Sequence, residues 1–89
     1  MKFSDQVVAA LKELNPGVKR DIRRAMDDVN QGKKRDVRSL RGRLAGFRRL
    51  RVGKYRAVFR YDDAGELIVE FFGPRSTVYE AFQPPSAPE

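Results

Sequence analysis

Residues 47–61 read FRRLRVGKYRAVFRY, and the pattern of this stretch decides the fold. Polar and apolar side chains alternate on both sides of Gly53 and Lys54, and a period of two residues is typical of a β-strand. The stretch therefore predicts two antiparallel strands, 47–52 and 55–61, joined by a tight turn at Gly53 and Lys54. The alternation also sorts the second strand into two faces. One face carries Tyr55, Ala57, Phe59 and Tyr61, and the other carries Arg56, Val58 and Arg60.

A third strand follows this hairpin. The tetrapeptide DDAG at 62–65 predicts a second tight turn, since Gly65 can adopt a positive φ without steric cost. The apolar run LIVEFF at 67–72 is predicted to form the third strand, which the Gly-Pro pair at 73–74 ends. Residues 77–82 are then predicted to form a short strand or a helical turn.

The residues before the hairpin predict two helices. Ser4 is suited to be an N-cap, and the apolar residues that follow it lie at spacings of three and four. They are Val7, Val8, Leu11 and Leu14. A second helix is predicted to begin at Pro16 or Val18 and to end at Gly32, a residue suited to a left-handed C-cap. Because the connection is short, the two helices should form an antiparallel hairpin.

These elements predict one α+β domain over residues 1–82, with an N-terminal helical hairpin packed on a twisted antiparallel sheet of three to four strands. The helices should cover the apolar face of the sheet and leave its arginine-bearing face open. The charged segment 33–43 is predicted to be a loop with a short turn around 37–40. The proline-rich segment 83–89 is predicted to be a disordered tail.

The positive charge of the chain is concentrated in one block. The formal net charge is +7, and residues 33–56 alone contain eleven basic side chains and one acidic side chain. A basic block between nearly neutral and acidic segments is typical of a protein that binds a polyanion, most plausibly RNA. The alternatives from composition alone are a solvated surface or a patch for an acidic protein.

The residues that are absent also narrow the function. The sequence has no cysteine and no histidine, which excludes thiolate and imidazole metal sites, and we expect neither a metal nor a cofactor. The lack of cysteine favours a reducing compartment, so we expect a cytoplasmic protein. No apolar run approaches the length of a membrane span, and we expect no membrane association. Spacing alone favours a surface cation at Arg75 and a core-edge residue at Tyr79.

Three motifs in order resemble the RelE/ParE superfamily of bacterial toxins. They are LRG at 40–42, FRRLRVGKYRAVF at 47–59 and GPRSTVYEAF at 73–82. The two predicted helices are also similar to the helical hairpin of that superfamily, so that the resemblance covers about residues 3–82.

The resemblance to RelE-type members implies a toxin of a type II toxin–antitoxin system that cleaves mRNA on the ribosome. In this chemistry a ribose 2′-hydroxyl attacks the adjacent phosphate without a metal, and cationic side chains stabilise the developing charge. Matched residue by residue, the resemblance assigns Arg56 and Arg75 to the scissile phosphate, Arg49 to charge stabilisation and Tyr79 to positioning. The remaining RNA-binding candidates are Arg41, Arg43, Arg48, Arg51 and Lys54. The implied partners are mRNA, the ribosome and a cognate antitoxin, which would be a small acidic protein with a helical tail.

The sequence departs from the family pattern in two places. Phe47 and Arg49 stand where RelE-type enzymes often have lysines, and a guanidinium is a poor general base. Lys54 is the nearest alternative for proton transfer. In addition, only residues 1–3 precede Ser4, so the family's first strand is expected to be short or missing. Two other functions therefore stay open: a ParE-like inhibitor that binds DNA gyrase, and a catalytically weak member that only binds antitoxin or RNA.

Overall fold

Five strands form one sheet, and two helices pack on it. The computed structural model describes residues 1–82, and the predicted tail 83–89 lies outside the described residues. The elements are β1 (Lys2–Phe3), α1 (Asp5–Lys12), α2 (Pro16–Asn30), β2 (Val37–Ser39), β3 (Arg48–Val52), β4 (Tyr55–Tyr61), β5 (Leu67–Pro74) and α3 (Val78–Ala81). The strand order is β1-β5-β4-β3-β2, with β1 parallel to β5 and all other pairs antiparallel. The predicted α+β class and helical hairpin on a sheet are confirmed.

The sheet has five strands and not three to four, because both of its edges are formed by very short strands. At one edge β1 pairs Phe3 with Val69, so the family's first strand is present as two residues. At the other edge β2 pairs Val37 with Leu50 inside the segment predicted to be a loop. That segment also contains a 3₁₀ turn, Gly42–Leu44. The prediction of a loop over 33–43 was therefore wrong at β2 and at this turn.

Both helices begin at the predicted positions, and α2 ends at Asn30, two residues before Gly32. Ser4 Oγ accepts a hydrogen bond from the Val7 N–H (3.3 Å) and donates one to the Glu70 carbonyl (2.7 Å), which fixes the start of α1 on β5. Asn15 Oδ1 accepts a hydrogen bond from the Val18 N–H (2.9 Å), and Pro16 occupies the first turn of α2. Among residues 1–82, no helix combines the length and the apolar character needed to cross a bilayer.

The main core lies between the two helices and one face of the sheet. α1 packs on β5 and α2 packs on β3. As the alternation in β4 predicts, Ala57 and Phe59 point into this core and are fully buried. The other buried members are Val7, Ile22, Ala25, Met26, Leu50, Leu67, Val69 and Phe72.

A second apolar cluster lies on the opposite face of the sheet, which was expected to be open. Val58 is fully buried there, in a cluster whose residues come from four segments that are distant in sequence, its own strand included. The buried members of this second cluster are Leu44, Val58, Val78 and Phe82. The expectation was wrong because the side chains of Val58 and of its neighbour on β5, Phe71, are apolar and would contact water on that face if nothing covered them. The 3₁₀ turn and α3 remove this surface from water.

A β-bulge in β5 lies next to this cluster. Val58 pairs with Phe71 and Phe59 pairs with Val69, which leaves Glu70 as an extra residue in β5. The Glu70 side chain is buried and accepts a hydrogen bond from Arg60 Nε at 2.7 Å. Arg60 is therefore committed to a carboxylate that would otherwise be buried without a cation.

Arg43 fastens the end of the described chain to the 3₁₀ turn. Its Nη2 donates a hydrogen bond to the Tyr79 carbonyl, and its Nη1 donates one to the Phe82 carbonyl at 3.4 Å. Arg41, two residues earlier, is also exposed, but its side chain forms no capping hydrogen bond with the 3₁₀ turn that follows it. The two arginines therefore differ in what their removal should do.

We expect Arg43→Ala to lower the free energy of unfolding by about 1 kcal/mol, because two carbonyl oxygens lose a charged donor at a partly exposed site. Arg41→Ala is the matched control and should change it by less than about 0.5 kcal/mol. Urea denaturation of both variants measures the difference. Equal midpoints for the two variants would contradict a structural role for Arg43.

Candidate functional site

The register of the sheet brings four arginines together on the face that carries Val58. Arg49 lies opposite Arg38 of β2, and Arg51 lies opposite Arg56 of β4. Directly paired residues project on the same side of a sheet, with Cα atoms about 5 Å apart. Because Arg49 also pairs with Val58, this side is the one away from the helices. We call Arg38, Arg49, Arg51 and Arg56 the arginine group.

Like charges directly opposite each other on two strands destabilise a sheet. The arginine group contains two such pairs in neighbouring rows, and the repulsion within each pair opposes folding. An anion that bridges the rows would remove the repulsion, and the planar guanidinium suits the oxygens of a phosphate. The arrangement is therefore that of an anion-binding surface.

The side chain of Arg56 and the backbone of Arg75 both form hydrogen bonds with the turn between β3 and β4. Arg56 is half-buried, and its Nη1 donates hydrogen bonds to the carbonyls of Gly53 (3.3 Å) and Tyr55 (3.0 Å). The backbone N–H of Arg75 donates to the Lys54 carbonyl of the same turn at 2.9 Å, while the Arg75 side chain is exposed. The structure thus brings the backbone of Arg75 to the end of the sheet that carries Arg56. Spacing alone had predicted only a surface cation at Arg75.

Arg49 is held by an acidic residue at the neighbouring sheet edge. Its Nη1 donates to both the carbonyl and the Oδ1 of Asp36, each at 3.1 Å. The Arg49 side chain is 14% exposed and that of Asp36 is 46% exposed. Ion pairs with an exposed partner contribute only about 0–1 kcal/mol, so a phosphate can replace Asp36. By contrast, the Glu70 side chain that binds Arg60 is 7% exposed, and that pair is not available to a ligand.

Tyr79 lies in α3 and packs with its ring half-buried against the second apolar cluster. No hydrogen bond of its hydroxyl is present among the described residues, and its carbonyl accepts the bond from Arg43. The surroundings of Tyr79 therefore agree with the core-edge interpretation from spacing, and they leave the hydroxyl available for a ligand. Arg43 itself is occupied by backbone carbonyls, although its place in the basic block made it an RNA-binding candidate.

The other RNA-binding candidates are dispersed. Arg48 pairs with Phe59 and so projects on the helix side, where its guanidinium lies 5.3 Å from the centre of the Tyr61 ring. Arg41 and Lys54 are exposed in the 3₁₀ region and in the β3–β4 turn. The structure therefore separates Arg48 from Arg49, which the sequence had treated as one surface.

Two aromatic residues of the central hairpin, Phe47 and Tyr55, are half-buried and pack on other aromatic rings. The Phe47 ring packs edge-on against Phe82 with centroids 5.2 Å apart, and the Tyr55 ring stacks on Phe72 at 4.9 Å. Tyr61 is 42% exposed but lies at the opposite end of β4 from the turn.

Sequence reasoning missed two residues of this surface, Arg38 and Asp36. Both lie in the segment predicted to be a loop, and Arg38 enters the arginine group only because β2 pairs with β3. The one available signal was Val37, an isolated apolar residue in a charged segment, which packs against the main core.

Comparisons with known proteins agree with this fold. Residues 1–79 match the family model of the ParE toxin of the type II toxin–antitoxin system parDE. No curated protein sequence matches the chain.

Solved structures give the same assignment of the fold. The RelB–RelE antitoxin–toxin complex from Methanococcus jannaschii contains a similar chain, with a TM-score of 0.74, 20% identity, and coverage of 93% of this chain and 100% of that one. For the toxin–antitoxin complex RelBE2 from Mycobacterium tuberculosis the TM-score is 0.70 at 27% identity, with coverage of 82% and 93%. For the YoeB–YefM complex from Staphylococcus aureus it is 0.69 at 18% identity, with coverage of 80% and 90%. From the match of its family model, the chain belongs to the ParE toxin family of type II toxin–antitoxin systems, within the RelE/ParE superfamily.

Proposed function

We propose that this toxin cleaves mRNA on the ribosome in the cytoplasm, and that Arg49 and Arg56 of the arginine group bind the scissile phosphate together with Arg75. The observation that carries the proposal is the convergence of Arg49, Arg56 and the backbone of Arg75 on one end of the sheet. In this proposal the guanidinium groups of Arg49, Arg56 and Arg75 reach one phosphate, bind its ground state and stabilise the additional charge of a phosphorane.

In the proposed reaction the 2′-oxygen of a ribose attacks the adjacent phosphorus, and the 5′-oxygen of the next nucleotide leaves. The products are a cyclic phosphate and a free 5′-hydroxyl, whose oxygen takes up a proton from solvent water as it leaves. Arg56 and Arg75 hold the non-bridging oxygens, and Arg49 leaves Asp36 to stabilise the phosphorane. Because a guanidinium is a poor base, the proton of the 2′-hydroxyl needs another acceptor, and the Asp36 carboxylate that adjoins Arg49 is better suited than Lys54. Tyr79 would position the nucleotide from the side of α3.

The proposed cleavage can be tested by inducing the toxin in cells and mapping mRNA 5′ ends. We expect cuts with codon periodicity in the wild type and a loss of about 100-fold or more in cleavage rate for Arg75→Ala, the size typical of removing one donor to a transition-state oxygen. Arg75 is the best position because its side chain is exposed and its loss should leave the fold intact. Arg20→Ala, an exposed arginine of α2, is the matched control and should cleave like the wild type.

The same experiment addresses the second candidate function, inhibition of DNA gyrase by protein binding. The observation that favours it is the family model itself, which is that of ParE toxins. Intact mRNA together with accumulating gyrase–DNA damage would support this function and would contradict cleavage. A protein that binds RNA with neither effect would be the catalytically weak member.

We also propose that a cognate antitoxin, a small acidic protein with a helical tail, neutralises the toxin. Two surfaces suit such a tail. One is the arginine group, by charge complementarity. The other is a groove of about 360 Å³ between α1 and α2, whose apolar floor and basic rim suit an acidic amphipathic helix. The groove is lined by Phe3, Val8, Leu11, Lys12, Lys19 and Arg23.

Val8 distinguishes the two surfaces, because it is 41% exposed in the groove and lies far from the arginine group in sequence and on the other side of the sheet. If the antitoxin tail binds in the groove, Val8→Glu should raise the Kd of the complex by about 10-fold or more, since an apolar contact is replaced by a charge of the antitoxin's own sign. Gln6→Glu, which adds the same charge on an exposed position of α1, is the control. Titration calorimetry with the purified antitoxin measures both, and equal affinities would assign the tail to the arginine group.

A further inference from the structure

A second basic site lies outside the face that carries the arginine group. Between α2 and the end of β3 the surface forms a cleft of about 260 Å³. Its basic residues are Arg24, Arg35 and Arg51, and its one acidic residue is Asp21. Arg51 lines this cleft and also belongs to the arginine group by register. It therefore connects the two sites.

An apolar pocket continues this cleft around the β3–β4 turn. The pocket has a volume of about 180 Å³, and Val18, Val52 and Tyr55 supply its apolar walls. Cleft and pocket share three lining residues, so they form one depression, which we call the α2–turn trough. The shared residues are Asp21, Val52 and Gly53. One end of the trough is thus basic and the other is apolar, with Lys54 beside the apolar part.

The guanidinium of Arg35 is held in position before any ligand binds. Its Nε and Nη2 both donate to Asp28 Oδ2, at 3.0 and 2.7 Å, and this leaves Nη1 without a partner among the described residues. The ion pair with Asp28 offsets the charge of Arg35. The attraction for an anion therefore comes from Arg24, Arg51 and Lys54, and Asp21 is the one lining residue whose charge opposes it. Arg35 adds a fixed donor, and a preorganised donor loses less entropy on binding.

We propose that the α2–turn trough binds one nucleotide of single-stranded RNA that flanks the cleaved step. The phosphate would lie against Arg24, Arg35 and Arg51, and the base against the walls formed by Val18, Val52 and Tyr55. A basic end beside an apolar end is the combination that single-stranded nucleic acid requires. Continuity with the arginine group through Arg51 favours a strand that runs on from the site over an unrelated ligand. The choice of RNA as the ligand rests on the proposed function.

The trough and the cleavage site can be tested separately with two oligoribonucleotides, a dinucleotide and a longer single strand. Both carry a 2′-deoxyribose at the cleavage position, so that binding is measured without cleavage. Arg24→Ala removes an exposed side chain of the trough, and Arg20→Ala removes an exposed arginine on the same helix that lines neither cleft nor pocket. Fluorescence anisotropy gives Kd at several salt concentrations, and thermal unfolding checks that both variants are folded.

For the longer strand we expect Arg24→Ala to raise Kd roughly tenfold, as for one lost charge-assisted contact. The slope of log K against log salt should fall by about 0.7, the value for one phosphate contact on a single strand. The dinucleotide should bind the variant and the wild type equally, and Arg20→Ala should leave both ligands unaffected.

Three results would overturn the proposal: an unchanged Kd of Arg24→Ala for the longer strand, an equal loss for both ligands, or a loss of antitoxin affinity with RNA affinity unchanged. The last result would make the trough a protein-binding surface. If Arg24→Ala and the wild type bind the longer strand with the expected difference but the induced wild type leaves cellular mRNA intact, the trough stands and the proposed cleavage fails. If the wild type cleaves mRNA while Arg24→Ala binds the longer strand as tightly as the wild type, only the proposal for the trough is contradicted.

Discussion

Val58 must be buried on the same face of β4 that carries two arginines, and the rest of the structure follows from that constraint. It stands between Arg56 and Arg60 in the strand, and its neighbour on β5 is Phe71. Exposing this apolar strip would cost about 25 cal/mol for each Å² in contact with water. The chain covers the strip with the 3₁₀ turn, α3 and Phe82. A sheet that could have carried one uniform basic face is thereby divided into a capped middle and two open ends.

The two ends use their arginines differently because their surroundings differ. At one end the bulge turns a buried glutamate toward Arg60, and the strong pair that results is structural. At the other end the partners of the arginines are backbone carbonyls of a turn and one exposed aspartate. These contacts orient the arginine side chains but leave their positive charge available to a ligand. The end with weak partners is therefore the one suited to a ligand.

Much of the fold could be predicted because its signals are local. The alternation on both sides of Gly53 predicted the central hairpin, and Ser4 and Pro16 indicated the starts of the helices. The edge strands could not be predicted in this way, since two or three residues do not establish a period. Their pairing depends on a neighbouring strand that offers free hydrogen-bonding groups. The second apolar cluster was missed for a similar reason: Leu44, Val78 and Phe82 are individually unremarkable and become a cluster only after folding.

The candidate site shows the same division between local and non-local information. Charge counting located the basic block, yet it could not sort its members, because the role of each arginine depends on strand register and on distant partners. Register moved Arg48 to the helix side and brought in Arg38, while the carbonyls of α3 and of Phe82 engaged Arg43. What remains is a small group of arginines in which like charges face each other across strands. Folding alone gives no reason for such a group, so its most economical explanation is an anionic partner. An acidic antitoxin tail laid on this group would occupy the charge that the proposed RNA substrate requires, whereas a tail in the α1–α2 groove would leave it free. The location of the antitoxin therefore decides whether inhibition is direct competition for the arginines or acts through the helices behind the sheet.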